Sequence, residues 1–336
     1  MSPISLPLQG VLVVTMLQGT LGCAGRSPIE RVVRLAEMNT DQIRALDRSR
    51  TAVIIPGGIL EEHGPYLPSY TDGYVNERLA RDLANAIVAR PGWAVVMFPP
   101  IPLGSGGANE IGGKYGFPGT YAVRPATLRS VFMDLATEFG EQGFRWVFIV
   151  HGHGSPDHNR MLDQAGAFFH DSYGGQMVHL RGFMEAPDCC PAGRDMLSPA
   201  AAKADGFSVH ADIMEHSRIL YLRPDLVPPS IGQAPAQTAR DFPHLVELAR
   251  ADGWPGYFGA PAYATPAIGA AHQQDRSRRM IALAIKILDG WDPGAEPRYG
   301  DAILKMAPAI GIERLRQHEG EVEARQRAWL ASKGLQ

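Results

Sequence analysis

Residues 51–72 read Thr51-Ala-Val-Ile-Ile-Pro56-Gly-Gly-Ile-Leu-Glu61-Glu62-His63-Gly-Pro-Tyr66-Leu-Pro-Ser-Tyr-Thr71-Asp72. The opening run is apolar and β-branched, the length of a buried strand, and the glycines and prolines behind it fix a rigid loop. Two carboxylates and an imidazole thus follow a strand end. In open α/β sheets ligands gather outside the carboxyl ends of strands, which puts Glu61, His63 and Asp72 where a site belongs. Glu61 and His63 lie two apart, so an extended chain turns both side chains to the same side. Taken alone, the cluster also fits a polar surface loop.

On either side of this stretch the chain alternates helix and strand. Thr40-Asp41 reads as the cap of a short helix through Asp47. Residues 76–90 place Leu79, Leu83, Ala86 and Ile87 on one helical face and lead into the apolar run Trp93 to Phe98. Residues 126–140 repeat the arrangement with Leu128, Val131, Phe132 and Leu135, followed by a second apolar strand, Trp146 to Val150. The alternation predicts an α/β sheet covered on both faces. Residues 182–205, rich in Pro, Ala and Cys without a period, read as a loop or insertion. Ser277 to Leu288 reads as a periodic helix, and Ile312 to Leu330 as a charged terminal helix with a solvated face.

A chain of 336 residues accommodates two domains or one large α/β domain with insertions. With 45% hydrophobic and 20% charged residues, extensive disorder is excluded. Thirty-two basic against 35 acidic side chains leave a net charge of −3, so nucleic acid is not an expected partner. Three cysteines, Cys23, Cys189 and Cys190, cannot build a disulfide framework.

The strand Trp146 to Val150 ends in His151-Gly-His153-Gly-Ser155-Pro-Asp157-His158-Asn159, three imidazoles within eight residues. Histidine with carboxylate oxygen is the ligand set of hydrolytic zinc, manganese or iron sites, and two strand ends can bring the two clusters together. A third cluster, Ser208-Val-His210-Ala-Asp212-Ile-Met-Glu215-His216-Ser217, reads as a capped helix start; helical from Ala211, it would put Asp212 and His216 on one face and Glu215 elsewhere. The Gly-rich stretch Gly104 to Lys114 is not a phosphate loop, since Ala108 stands where the first glycine is needed and Tyr115 follows the lysine. No Gly-x-Ser-x-Gly elbow of a serine hydrolase is present.

Together the clusters resemble the creatininase (creatinine amidohydrolase) family. Its opening Glu-x-His-Gly-Pro-His-Leu-Pro and Thr-Asp are similar to Glu61 through Pro68 and Thr71-Asp72. Its Phe-Pro-Gly-Thr stands at Phe117 to Thr120, and its Asn-Gly-His-Gly-Gly-Asn is similar to His151-Gly152-His153-Gly154. Its His-Ala-Gly with Glu-Thr-Ser looks like His210-Ala211-Asp212 with Glu215-His216-Ser217, and Gly256 to Thr265 meets a later Gly/Pro/Thr pattern. The resemblance covers Thr40 to Leu288.

It implies a three-layer α/β/α creatininase-like fold with a largely parallel central sheet, spanning residues 29–300, and a C-terminal helical extension over residues 301–336. It implies two divalent ions per chain (Zn, Mn or Fe): Glu61 and His153 on one, His63 on the other, Asp72 bridging. Glu215 matches a later glutamate of the family and is a further ligand and catalytic candidate, and His210 matches a histidine used for proton transfer. The chain departs from the pattern at Tyr66 and Lys114, where histidines are usual, and at His151, usually Asn; these three and Ser155 are assigned to the substrate side. Four residues intervene between Gly154 and Asn159, so either Asp157 or Glu215 completes the second ion's shell.

The reaction implied is hydrolysis of a C–N bond in a small, non-peptide amide, cyclic or open. Its rival is an inactive metal-binding protein on the same scaffold. A homo-oligomer, hexameric by resemblance, is the expected assembly. Residues 10–17 are apolar but too short to span a bilayer, and with the small residues before Cys23 they resemble a lipoprotein signal within residues 1–28. Export to the cell envelope, with membrane contact only through a lipid on Cys23, is the expectation set against a cytoplasmic chain with an N-terminal arm.

Overall fold

Residues 31–183, 191–301 and 309–335 are described by the computed structural model. In chain order they form β1 (Val32–Arg34), α1 (Thr40–Arg44), β2 (Thr51–Pro56), α2 (Thr71–Val88), β3 (Ala94–Met97), α3 (Ala108–Ile111), α4 (Pro125–Glu141), β4 (Trp146–Val150), α5 (Pro156–Tyr173), β5 (Gln176–His179), α6 (Pro191–Arg194), α7 (Pro199–Asp205), α8 (Ile213–Leu222), α9 (Phe242–Arg250), α10 (Pro266–Leu288) and α11 (Ala309–Ser332). The N-terminal segment proposed for export lies outside the described residues, as do Cys189 and Cys190.

The strands make one five-stranded sheet in the order β1-β3-β2-β4-β5, every pair parallel. Successive residues of β2 serve opposite faces, as strand geometry requires. Ala52 and Ile54 join Leu79, Leu83 and Ile87 of α2 with Met280, Ala284 and Ile287 of α10. Val53 and Ile55 join Leu128, Phe132 and Ala136 of α4 with Leu162, Ala165 and Phe169 of α5. Both faces of the sheet are therefore covered, which is why its strands are continuous apolar runs and not alternating ones.

From β2 the chain crosses to β3 on one side, then returns past β2 to β4 on the other. The chain thus leaves the carboxyl end of β2 toward β3 and that of neighbouring β4 in the opposite direction toward β5, which makes this the switch point at which α/β sheets place ligands. Both motif-bearing loops leave the sheet there.

Several boundaries differ from the sequence reading. Helix α2 begins at Thr71, five residues before the expected Asn76, because its first turn is polar and carries no apolar period. The cap of α1 is Asn39, which exchanges hydrogen bonds with Gln42. Residues 182–205 are not a continuous loop, since α6 and α7 lie within them. Helix α10 starts eleven residues before Ser277, capped by the Thr265 hydroxyl, which accepts from Ile268 N.

Candidate metal centre

Glu61 and His63 leave the end of β2 almost wholly buried, both 1% exposed. The loop is held by Glu61 N donating to Ser69 O at 2.9 Å, and Asp72 stands in the first turn of α2, where a carboxylate suits the helix dipole. From β4, His153 turns Nδ1 to Asp72 Oδ2 at 2.9 Å and to Glu61 Oε2 at 3.2 Å. Its Nε2 donates to Gly106 O at 2.8 Å, and Ala108 N donates to Glu61 Oε1 at 2.5 Å, so the backbone of the Gly-rich segment orients both side chains.

The third cluster enters from α8. Asp212 caps the helix by accepting from Glu215 N at 2.9 Å. The residue before it, Ala211, has φ of 48°, a left-handed conformation that costs a non-glycine residue about 1 kcal/mol or more. This bend points Ala211 N at Glu215 Oε2, 2.7 Å away, and brings the same oxygen to 3.5 Å from His63 Nε2. Contrary to the sequence reading, Glu215 is the residue turned toward His63, because the helix starts at Ile213 and its first-turn side chain folds back over the cap. His216 instead packs beside Tyr66 and Tyr257, with ring centroids 6.3 Å away in each case.

Among the described residues, three sets have donor atoms within 4.8 Å of one another: Glu61, Asp72 and His153; His63, Asp72 and Glu215; and Glu61, His63 and His210. Asp72 belongs to the first two. Glu61 Oε2 and His63 Nε2 are buried and make no hydrogen bond, meeting only the ion-pair approaches of His153 and Glu215, an arrangement costly to a folded chain that a cation between them would relieve. Imidazole nitrogen with carboxylate oxygen fits zinc, manganese or iron.

The electrostatics agree with a cation-binding centre. Burial opposes charge on His153, yet Glu61 and Asp72 outweigh it and lift the imidazole to about 9. Burial would raise Glu215, but His63, Arg218 and His210 hold it well below the usual carboxylate range. Without metal, protons on the histidines balance the carboxylates, so cation binding must release them.

His210, 5% exposed, turns Nε2 to Glu62 O at 2.7 Å and to Glu62 Oε2 at 2.9 Å, leaving Nδ1 3.7 Å from Glu61 Oε1. Glu62 has no counterpart in the sequence reading, since the middle position of Glu-x-His carries no chemical signal by itself. Asp157 is in none of the three sets. It stands in the first turn of α5, and its carboxylate faces Arg160 at 4.0 Å and Arg316 of α11 at 3.6 Å.

The residues assigned to the substrate side are scattered. Tyr66 packs near the centre, between His216 and Tyr257. His151 is fully buried, with Nε2 on Ile101 O at 2.8 Å and Nδ1 3.2 Å from His158, and burial lowers it to about 4. It packs edge-on to Phe132 in the sheet core. Ser155 caps α5, and Lys114 Nζ donates to Ala251 O at 2.5 Å.

The family model for creatinine amidohydrolase matches residues 36–284. The chain belongs to the creatininase family. A mycofactocin precursor peptide peptidase from Mycobacterium ulcerans is 27% identical over 275 residues, covering 79% of this chain and 96% of that protein. A 3-dehydro-scyllo-inosose hydrolase from Thermotoga maritima is 29% identical over 120 residues, 35% of this chain and 34% of the relative. Among solved structures, a manganese creatininase superimposes with a TM-score of 0.56 at 22% identity, over 76% of this chain and 98% of that one. A zinc-zinc form of a creatininase variant gives 0.54 at 21% identity, over 76% and 97%. The chain shares the fold of these structures, seen here as three layers around a parallel sheet.

Proposed function

We propose that this creatininase-family chain is a metal-dependent amidohydrolase that cleaves a C–N bond of a small amide. The observation that carries the reading is the shared Asp72, which joins Glu61/His153 on one side to His63/Glu215 on the other. Glu61, Asp72 and His153 would hold one divalent ion, and His63, Asp72 and Glu215 the second. Two such ions supply Lewis acidity toward a carbonyl oxygen and a water acidic enough to lose its proton near neutral pH. No Ser or Cys nucleophile is then required.

The chain's own part is to position and to move a proton. Gly106 O and Ala108 N fix the His153 ring and the Glu61 carboxylate before any ligand arrives. The imidazole of His210, held at Nε2 by Glu62, takes up a proton at Nδ1 and returns it to the leaving nitrogen, without which an amine cannot depart. Burial of these groups excludes water and strengthens each interaction. That relatives carry the names of a peptidase and an inosose hydrolase supports hydrolysis in general and leaves the acyl group open.

The test is elemental analysis of chelator-free protein together with a panel of small amides and lactams. About two zinc, manganese or iron ions per chain and cleavage of at least one panel member are expected. Folded protein with no metal overturns the reading, and metal-replete protein that cleaves nothing favours an inactive scaffold.

A further inference from the structure

Behind Glu215, on the side away from His63, lies a buried guanidinium. Arg218, 5% exposed, donates from Nη2 to Glu215 Oε1 at 2.9 Å, while Glu215 Oε2 accepts from Ala211 N and faces His63. The two oxygens of one carboxylate are thus divided between an inner support and the centre. Asp212 and Asp72 also lie near Arg218, but Asp212 is occupied at Oδ1 in capping Glu215 N and Asp72 Oδ2 meets His153.

The helix that carries both residues is fixed by its packing. A Cβ added to Gly269 of α10 would fall 1.8 Å from Ser217 O, so the two helices approach as closely as glycine permits, and Thr265 N donates to the Ser217 hydroxyl at 3.1 Å. With α8 unable to roll, the direction of the Glu215 carboxylate is set by its side-chain torsions, and Arg218 pins the end of them. Burying a guanidinium is costly unless it is paired, and an i,i+3 ion pair of this kind contributes little when it is on a surface. Here the pair is buried, and its other carboxylate oxygen belongs to the candidate centre.

We infer that Arg218 is a positioning residue for the ion held by His63, Asp72 and Glu215: by holding Glu215 Oε1 it keeps Oε2 aimed at that ion. The inference rests on the two-ion reading above. It concerns affinity, so titration of metal-free protein with Mn(II), followed by calorimetry and by the spectrum of free Mn(II), tests it without a substrate.

The wild type is expected to bind in two steps. Arg218→Met should weaken one step roughly 10–100-fold, the range for residues that orient a ligand, and leave the other unchanged. Glu215→Gln should abolish the same step, and adding Arg218→Met to Glu215→Gln should change nothing further. Arg218→Lys should restore most of the affinity, because a single donor reaches Glu215. Circular dichroism checks folding; where Arg218→Met does not fold, Arg218→Gln, which keeps an uncharged polar group in the buried site, must weaken the same step. Two unchanged steps in a folded neutral variant overturn the inference alone, as does equal weakening of both steps or further loss in the double variant. A wild-type chain that binds no Mn(II) overturns the two-ion reading and this inference with it.

Discussion

Asp72→Ala tests the architecture of the centre most directly, because the same carboxylate serves both candidate ions. A ligand present at a hundredfold its dissociation constant stabilises the folded state by about 2.7 kcal/mol per site. Unfolding entropy near 2.1 cal/mol/K per residue gives about 0.6 kcal/mol/K for a chain of roughly 300 residues, so each ion should raise the melting temperature by about 4 °C. Wild-type protein titrated with Mn(II) should gain about 8 °C over chelator-treated protein, the sum of two such sites. Asp72→Ala should gain nothing, while Glu215→Gln should keep a single increment of about 4 °C. Scanning fluorimetry with and without metal reads the increment within each protein, so a change in baseline stability does not interfere. If Asp72→Ala keeps half the gain, the carboxylate is not shared; if it keeps all of it, Asp72 is no ligand.

His210→Ala should retain both ions and lose roughly 10²–10⁴ in kcat on any amide the wild type cleaves; loss of metal would make it a ligand instead. Asp157→Ala should keep the wild-type metal content and change stability by less than about 1 kcal/mol, since its partners are partly exposed arginines; loss of an ion would place Asp157 in the centre. Gly269→Ala should destabilise the fold by about 1–3 kcal/mol in chemical denaturation, because its methyl group meets the Ser217 carbonyl; an unchanged midpoint refutes the close approach. Burial first, and then the Asp212 carboxylate, raise Asp205 from 3.8 to about 7. The folded chain then holds a proton the unfolded chain has released, so this contribution is complete below pH 3.8 and is lost as pH rises through about 7. Asp205→Asn should flatten the stability profile across that window, and an unaltered slope would exclude Asp205 as its source.

The parallel sheet was legible because its strands are short, unbroken apolar runs and the helices between them keep a 3.6-residue period. Glu61, His63, Asp72 and His153 were legible because strand ends are where α/β sheets place ligands. What escaped the sequence was set by backbone. Glu215 lies toward His63 and not elsewhere because the helix begins at Ile213, two residues after Ala211, which leaves Asp212 as an extended cap outside the helical period. The roles of Gly106 and Ala108 lie in a carbonyl and an amide that every residue possesses, so no side-chain pattern marks them. Glu62 and Arg218 occupy spacings common to any loop or helix, and only the folded chain brings them to His210 and Glu215.

Both strands that feed the centre, β2 and β4, are interior to the sheet, each hydrogen-bonded on two sides, whereas β1 and β5 form its edges. Amides of such inner strands exchange with solvent only in the largest openings of a protein, while edges and surface segments open far more often. The floor of the candidate centre therefore rests on the slowest-exchanging strands of the sheet. The 104–120 segment that orients Glu61 and His153 is different in kind: it belongs to no strand and meets α11 in surface contacts, the Tyr115–His318 stack at 3.7 Å and, from the start of α4, the Arg124–Glu323 pair at 2.9 Å. Deuterium uptake across residues 104–120 should consequently outpace that of residues 52–56 and 147–150 by orders of magnitude.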